Sequence, residues 1–383
     1  MKWRIAKVGV VVAAALCISG LIGGVGTPLA RPDRGDRARL LVVDIGSFSW
    51  ESILSLPSGV SMSYLASLFA GDCAYGDVIA QDYASDSAIL ASLLTGRFPA
   101  NHGITNDAIH GPMDGDRTPD ARLVWDRIHR AGQPVAVVGF PIWRPLAGRD
   151  ALVIPPPRSF AGCGVVFRDG MSPRDPSYVS LIASADSVAD ALRERFGEGL
   201  ALPDAVLVAM RAGIGDDLTI AAMAEQAVRT VRGAHLFVRL SGLSMVDAAI
   251  RDAGTERMPE PEREMLLGRY HVFLDGLLKR LDVAMGDERK TVFIVSENAN
   301  RRGPIRYRPY FPALQEWPAM GFFVAAGGNI RRAETPESMR PVDLAVTLLY
   351  LAAAPLPASM DGVILYGILH DDFYFKHALR TAP

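Results

Sequence analysis

Five short apolar runs constrain this chain more than any other feature. RLLVVDI at 39–45, VAVVGF at 135–140, AHLFVRL at 234–240, TVFIVS at 291–296 and GFFVAA at 321–326 each have the length and composition of a buried strand. Segments of helical spacing separate them. Leu65, Leu68 and Phe69 are spaced on one helix face before Gly71, and Val124, Ile128 and Ala131 on another before Gly132. Leu218 to Val231 is apolar-periodic, and Tyr270, Leu274, Leu277, Leu278 and Leu281 form a stripe along 265–285. Parallel strands need crossover helices, and such sheets bury both faces. The pattern therefore predicts an α/β fold: a three-layer α/β/α sandwich with a mainly parallel sheet. A chain of 383 residues with 49% hydrophobic content can bury a large core, as one domain or a domain with inserts. Residues 146–205 are rich in Pro and Gly early on, show one clear helix near 185–196, and read as an insert or cap over the sheet's edge.

The segment DSAILASLLTGRFPANHGI at 86–104 is the most specific wording in the chain. After Asp86 it is apolar for two to three helical turns. Ser85 and Asp86 stand where an N-cap belongs, and Gly96 stands where a left-handed residue ends a helix. A buried helix with a polar residue at its start is a ready anion site, although a capped core helix needs no ligand.

The formal net charge of −2 gives no reason to expect nucleic-acid binding. Lys2, Arg4 and Lys7 precede an uncharged run from Val8 to Ala30, the form of an export signal. The run also just reaches bilayer-spanning length, so residues 1–30 read as a cleaved signal or a membrane anchor. An exported chain on the periplasmic or extracytoplasmic side is expected, with 31–38 as linker and 39–383 as the folded domain. Cys73 and Cys163 lie beyond the leader, and a disulfide between them and two free thiols are equally open.

LLTGRFPANHGI resembles a signature segment of the alkaline phosphatase superfamily, in particular its type I phosphodiesterase/nucleotide pyrophosphatase branch. RLLVVDIGSFSWESI resembles that family's opening strand. MSYLASLFAG, LVWDRIHRAGQPVAVVGFPIWRP, MGFFVAAGGNI and RPVDLAVTLLYLAAAPLPASMDGVIL resemble its later blocks. The resemblance implies the fold predicted above. It also implies positions for a nucleophile and two zinc ions, and there this chain departs from the pattern. The nucleophile position, nine residues before Thr95, holds Asp86. The first metal-ligand position, set by Trp50 and Glu51, falls on Gly46, with Asp44 two residues earlier on the same strand face. An Asp and a His expected after the third strand fall on Ser244 and Ala248, or in a second register on Asp247 and Arg251. Asp-His after the fourth strand becomes Glu297 and Asn298, and a late His becomes Trp317.

Zinc favours imidazole and carboxylate ligands, and none of the seven His falls at a ligand position. His102 and His129 read as structural. The set Gly46, Asp86, Ser244, Ala248, Glu297, Asn298 and Trp317 points to a binding or regulatory pseudoenzyme without two-zinc chemistry, its partner an anionic small molecule or an envelope protein. The alternative is an active phosphate or sulfate ester hydrolase using Asp44, Asp86, Asp247 and Glu297 around Mg²⁺ or Ca²⁺, which prefer oxygen ligands. Arg301, Arg302, Arg306 and Arg308 form a basic loop. Solvation explains such a loop, and a cluster of guanidinium groups holding an oxyanion is the sharper reading.

Overall fold

The computed structural model describes residues 38–383 apart from 49, 51–52, 54–55, 57–60, 81–84, 106–110, 113–121, 144–145, 147, 158–175, 253–257, 287–288, 298–319, 334, 377–380 and 383. The leader, Cys163, Asn298, the four loop arginines and Trp317 therefore lie outside the described residues. Cys73 is buried and carries a free thiol. No helix among the described residues is long and apolar enough to cross a membrane.

Eight strands form one sheet: β1 (Arg39–Ile45), β2 (Cys73–Ile79), β3 (Val135–Val138), β4 (Ala151–Ile154), β5 (His235–Leu240), β6 (Lys290–Ser296), β7 (Met320–Gly327) and β8 (Glu337–Met339). Their order is β8-β2-β7-β6-β1-β5-β3-β4. All five predicted strands are present, and the sheet is mainly parallel. The exception is β7, which runs antiparallel to both neighbours, β2 and β6. Gly321 lets it approach closely, because a Cβ there would collide with the Ser296 carbonyl. Three strands went unread in the sequence: β2 is interrupted by Gly76 and Asp77, β8 has three residues, and β4 lies within the expected 146–205 insert, where it forms the sheet's edge.

The helices that matter for the site are α1 (Ser63–Ala70), α2 (Asp86–Thr95), α3 (Pro99–His102), α4 (Val124–Arg130), α5 (Pro176–Gly197), α6 (Asp204–Thr230), α7 (Gly242–Asp252), α8 (Glu260–Ala284) and α9 (Pro341–Leu351). Alternation along the strands divides the core in two. Leu41, Val43 and Ile45 face the layer containing α6, α7 and α8. Leu40 and Val42 face the layer containing α2, α4 and α9. Both faces are dry, as a parallel sheet with helices on each side requires.

The motif residues wire these layers together. Asp275 on α8 accepts hydrogen bonds from Tyr64 N and Leu65 N, each at 2.8 Å, so a residue of another helix caps the start of α1. Asp361 accepts from Phe98 N at 2.8 Å and Asn101 Nδ2 at 2.7 Å, and its own N–H donates to Gly96 O at 2.9 Å. Asp343 accepts from Arg340 N at 2.9 Å and Val363 N at 2.8 Å. The aspartates of the closing block thus hold the ends of α2, α3 and α9, the first through a backbone N–H. Asp275 is a buried test of this wiring. Asp275→Ala strands two buried N–H groups and is expected to cost about 2–3 kcal/mol in urea unfolding, with Asp275→Asn costing less.

Candidate functional site

The carboxyl ends of β6, β1 and β5 are adjacent in the sheet. Their register sets Asp44 opposite Arg239 on one side and Val295 on the other. Asp44 shares a face with Leu40 and Val42, Arg239 with Phe237, and Glu297 continues the face of Phe293 and Val295. All three ionisable side chains therefore project toward the layer that contains α2. Arg239 Nη1 donates to Asp44 Oδ2, and its Nη2 donates to Glu297 Oε1 at 2.6 Å. The side chains of Asp44, Arg239 and Glu297 are 3%, 12% and 2% exposed, so the ion triad is buried. Asp44 Oδ1 and Glu297 Oε2 are also buried, and neither has a hydrogen-bond partner among the described residues.

The electrostatics follow from this packing. Burial, and then the neighbouring Glu297 carboxylate, push Asp44 well above the usual carboxylate range despite the guanidinium beside it. Burial alone would also raise Glu297, but Arg239 overrides it and holds Glu297 down at about 2. Burial opposes the charge on Arg239, and the two carboxylates more than restore it. The state we favour has Glu297 and Arg239 ionised and Asp44 protonated, which leaves the buried triad with no net charge.

Gly46 follows β1 at this same edge. A Cβ there would collide with Ser244 Oγ and lie 3.8 Å from Arg239 Nη2. Gly46 and Ser244, expected at ligand positions, therefore meet beside the triad, where neither supplies the carboxylate the resemblance implies. Ser47 next to them has φ of 61°, a left-handed conformation unusual for a residue with a side chain. Ala248 lies one turn along α7 from Ser244. Asp247 is buried and pairs with Arg251, one turn on, and with Arg263 Nη2 at 3.9 Å. The second register's pair is thus an ion pair on the α7 surface facing α8.

Asp86 occupies a different place from the one expected of a cap. Ser85 is the N-cap, its Oγ accepting from Ala88 N at 3.2 Å, while Asp86 is the exposed first residue of α2. There it complements the helix dipole. It follows β2 in sequence, and in the sheet β7 separates β2 from β6, the nearest strand of the triad. Gly96 ends α2 at φ 68°, as expected.

His102 is structural. Its Nδ1 accepts from Ile104 N at 3.0 Å, so Nε2 carries the proton toward Ser92 Oγ at 2.9 Å. That tautomer cannot take a proton from Ser92, and Ser92 is wholly buried, so the pair is no nucleophile and base. Two further residues escaped the sequence reading. Asp217 on α6 accepts from Gly242 N at 3.0 Å and from Tyr270 Oη at 2.9 Å, fixing the start of α7 beside β5. Burial pushes Asp217 up to about 7. The second is Arg239, and its signal was present: a lone arginine inside a buried strand demands carboxylate partners.

The two-zinc site implied by the resemblance does not fit these residues. The carboxylates at the edge already hold a guanidinium, and no histidine among the described residues stands with them. Among the described residues no three His, Cys, Asp or Glu side chains group to hold a metal.

Burial lowers His102 to about 4. The unfolded chain, with His near 6.5, then binds more protons between these values, so stability falls as pH drops from 6.5 toward 4. The expected slope from this group is about 1.4 kcal/mol per pH unit, read by urea unfolding at stepped pH and reduced by that amount in His102→Asn. His271, also lowered to about 4 by burial, adds a second slope that His102→Asn leaves in place.

No protein-family model matches the sequence, and no curated protein matches it. Solved structures do. The phosphonate monoester hydrolase SpPMH from Silicibacter pomeroyi matches with a TM-score of 0.54 and 13% identity, over 88% of this chain and 78% of that one. The alkaline phosphatase PafA matches with a TM-score of 0.52 and 10% identity, over 87% of this chain and 99% of that one. At such identities the likeness is one of architecture: the chain has the fold of the alkaline phosphatase superfamily.

Proposed function

We propose that this chain is an exported alkaline-phosphatase-fold domain that acts as a binding or regulatory protein and does not hydrolyse esters by two-zinc chemistry. One observation carries the reading. Where such chemistry needs metal ions to polarise the scissile group and clamp the leaving oxygen, Asp44 and Glu297 hold the guanidinium of Arg239. A guanidinium stabilises developing negative charge but cannot generate a metal-bound hydroxide. Asp86 at the nucleophile position adds negative charge, which opposes an anionic substrate. The basic amino terminus followed by an apolar run supports export. An anionic small molecule or an envelope protein is the proposed partner, with Arg301, Arg302, Arg306 and Arg308 as candidate contacts.

A second reading draws on the two unpartnered oxygens, Asp44 Oδ1 and Glu297 Oε2. It is a phosphate or sulfate ester hydrolase with Mg²⁺ or Ca²⁺ on a shifted carboxylate set. The two readings separate in one assay. Purified protein is offered an aryl phosphate, a phosphodiester, a phosphonate monoester and an aryl sulfate, with and without Zn²⁺, Mg²⁺ and Ca²⁺. No turnover above buffer, and no stoichiometric zinc by elemental analysis, is expected. Metal-dependent turnover that Asp86→Asn abolishes would require the hydrolase reading.

A further inference from the structure

We infer that Arg239 is the resident cation of this sheet edge, and that Asp44 and Glu297 form a latent site for a hard divalent cation that the arginine closes. The inference rests on the non-hydrolytic reading and says what replaced the metal. Three adjacent strands deliver one guanidinium and two carboxyl side chains to one face. The guanidinium uses different nitrogens for the two carboxylates, so it bridges them from two strands as a single metal ion would. Each carboxylate gives one oxygen to Arg239 and keeps the other buried without a partner among the described residues. Removing the guanidinium would leave two near-fully buried carboxylates facing one vacated space, with Ser244 Oγ close by beside Gly46. A donor set made only of carboxylate and hydroxyl oxygens suits Mg²⁺, Ca²⁺ or Mn²⁺ better than zinc.

The test is cation rescue of Arg239→Ala, followed by thermal unfolding. Leaving the buried Glu297 carboxylate without its guanidinium partner should lower Tm by roughly 5–10 °C. Millimolar guanidinium chloride, MgCl2, CaCl2 or MnCl2 should restore at least half of that loss. NaCl at matched ionic strength should not, and wild type should respond to none of them. Equilibrium dialysis should find Mn²⁺ on the variant and none on wild type. A Tm equal to wild type, or a loss that no cation restores, overturns the inference. If Arg239→Ala does not fold in any of these buffers, the neutral triple variant Asp44→Asn/Glu297→Gln/Arg239→Met decides. Folding that is insensitive to cations supports a charge-compensating arginine, and failure to fold overturns it. Ester hydrolysis by wild type would sink the non-hydrolytic reading, while the rescue of Arg239→Ala is scored separately.

Discussion

The carboxyl edge of this sheet depends on one interaction, the guanidinium of Arg239 held between Asp44 and Glu297. Moving three ionisable groups out of water costs more than any single hydrogen bond returns. The arrangement persists because each strand supplies a partner at a matched register: β1 the aspartate, β5 the arginine and β6 the glutamate. Breaking one member leaves an unpaired buried charge, which is far costlier than replacing all three with apolar groups. The triad is therefore better understood as a device that fixes the edge than as a source of net stability. The α7 helix start is fixed beside it by a second buried acid, Asp217, through Gly242 N and Tyr270 Oη.

The residues that match the superfamily's wording and the residues that depart from it divide along a physical line. Gly96, His102, Asp343 and Asp361 match, and every one of them caps a helix, turns the chain or ties a loop. They are needed by the architecture whatever happens at the edge. Gly46, Ser244 and Glu297 depart from it, and they gather around Arg239. The scaffold's requirements and the site's requirements are thus carried by separate residues, which lets chemistry change while the fold stays.

This division also explains what the sequence disclosed. Long apolar strands and periodic helices announced the three-layer sandwich, because burial on both faces leaves an unmistakable composition. β2, β8 and β4 did not announce themselves, being short or Gly-interrupted and defined by their neighbours in the sheet. The antiparallel course of β7 was equally silent, since strand direction is set by the connection and not by composition. At the site, counting along motifs picked out Gly46, Ser244 and Glu297, which lie together at the carboxyl ends of β1, β5 and β6. Asp86 opens α2, but Ser85 took the cap, because a serine in extended backbone one residue earlier reaches the first-turn amide. The arginine was overlooked because the count asked which ligands were missing, and a cation inside an apolar strand answers a different question.

The most direct measurement is a crystal structure of the wild-type protein grown with excess zinc, with anomalous data collected at the zinc edge. The account predicts the Arg239 guanidinium between Asp44 and Glu297 and no anomalous peak within bonding distance of either carboxylate. Zinc seated on Asp44 and Glu297 with Arg239 turned away would contradict it.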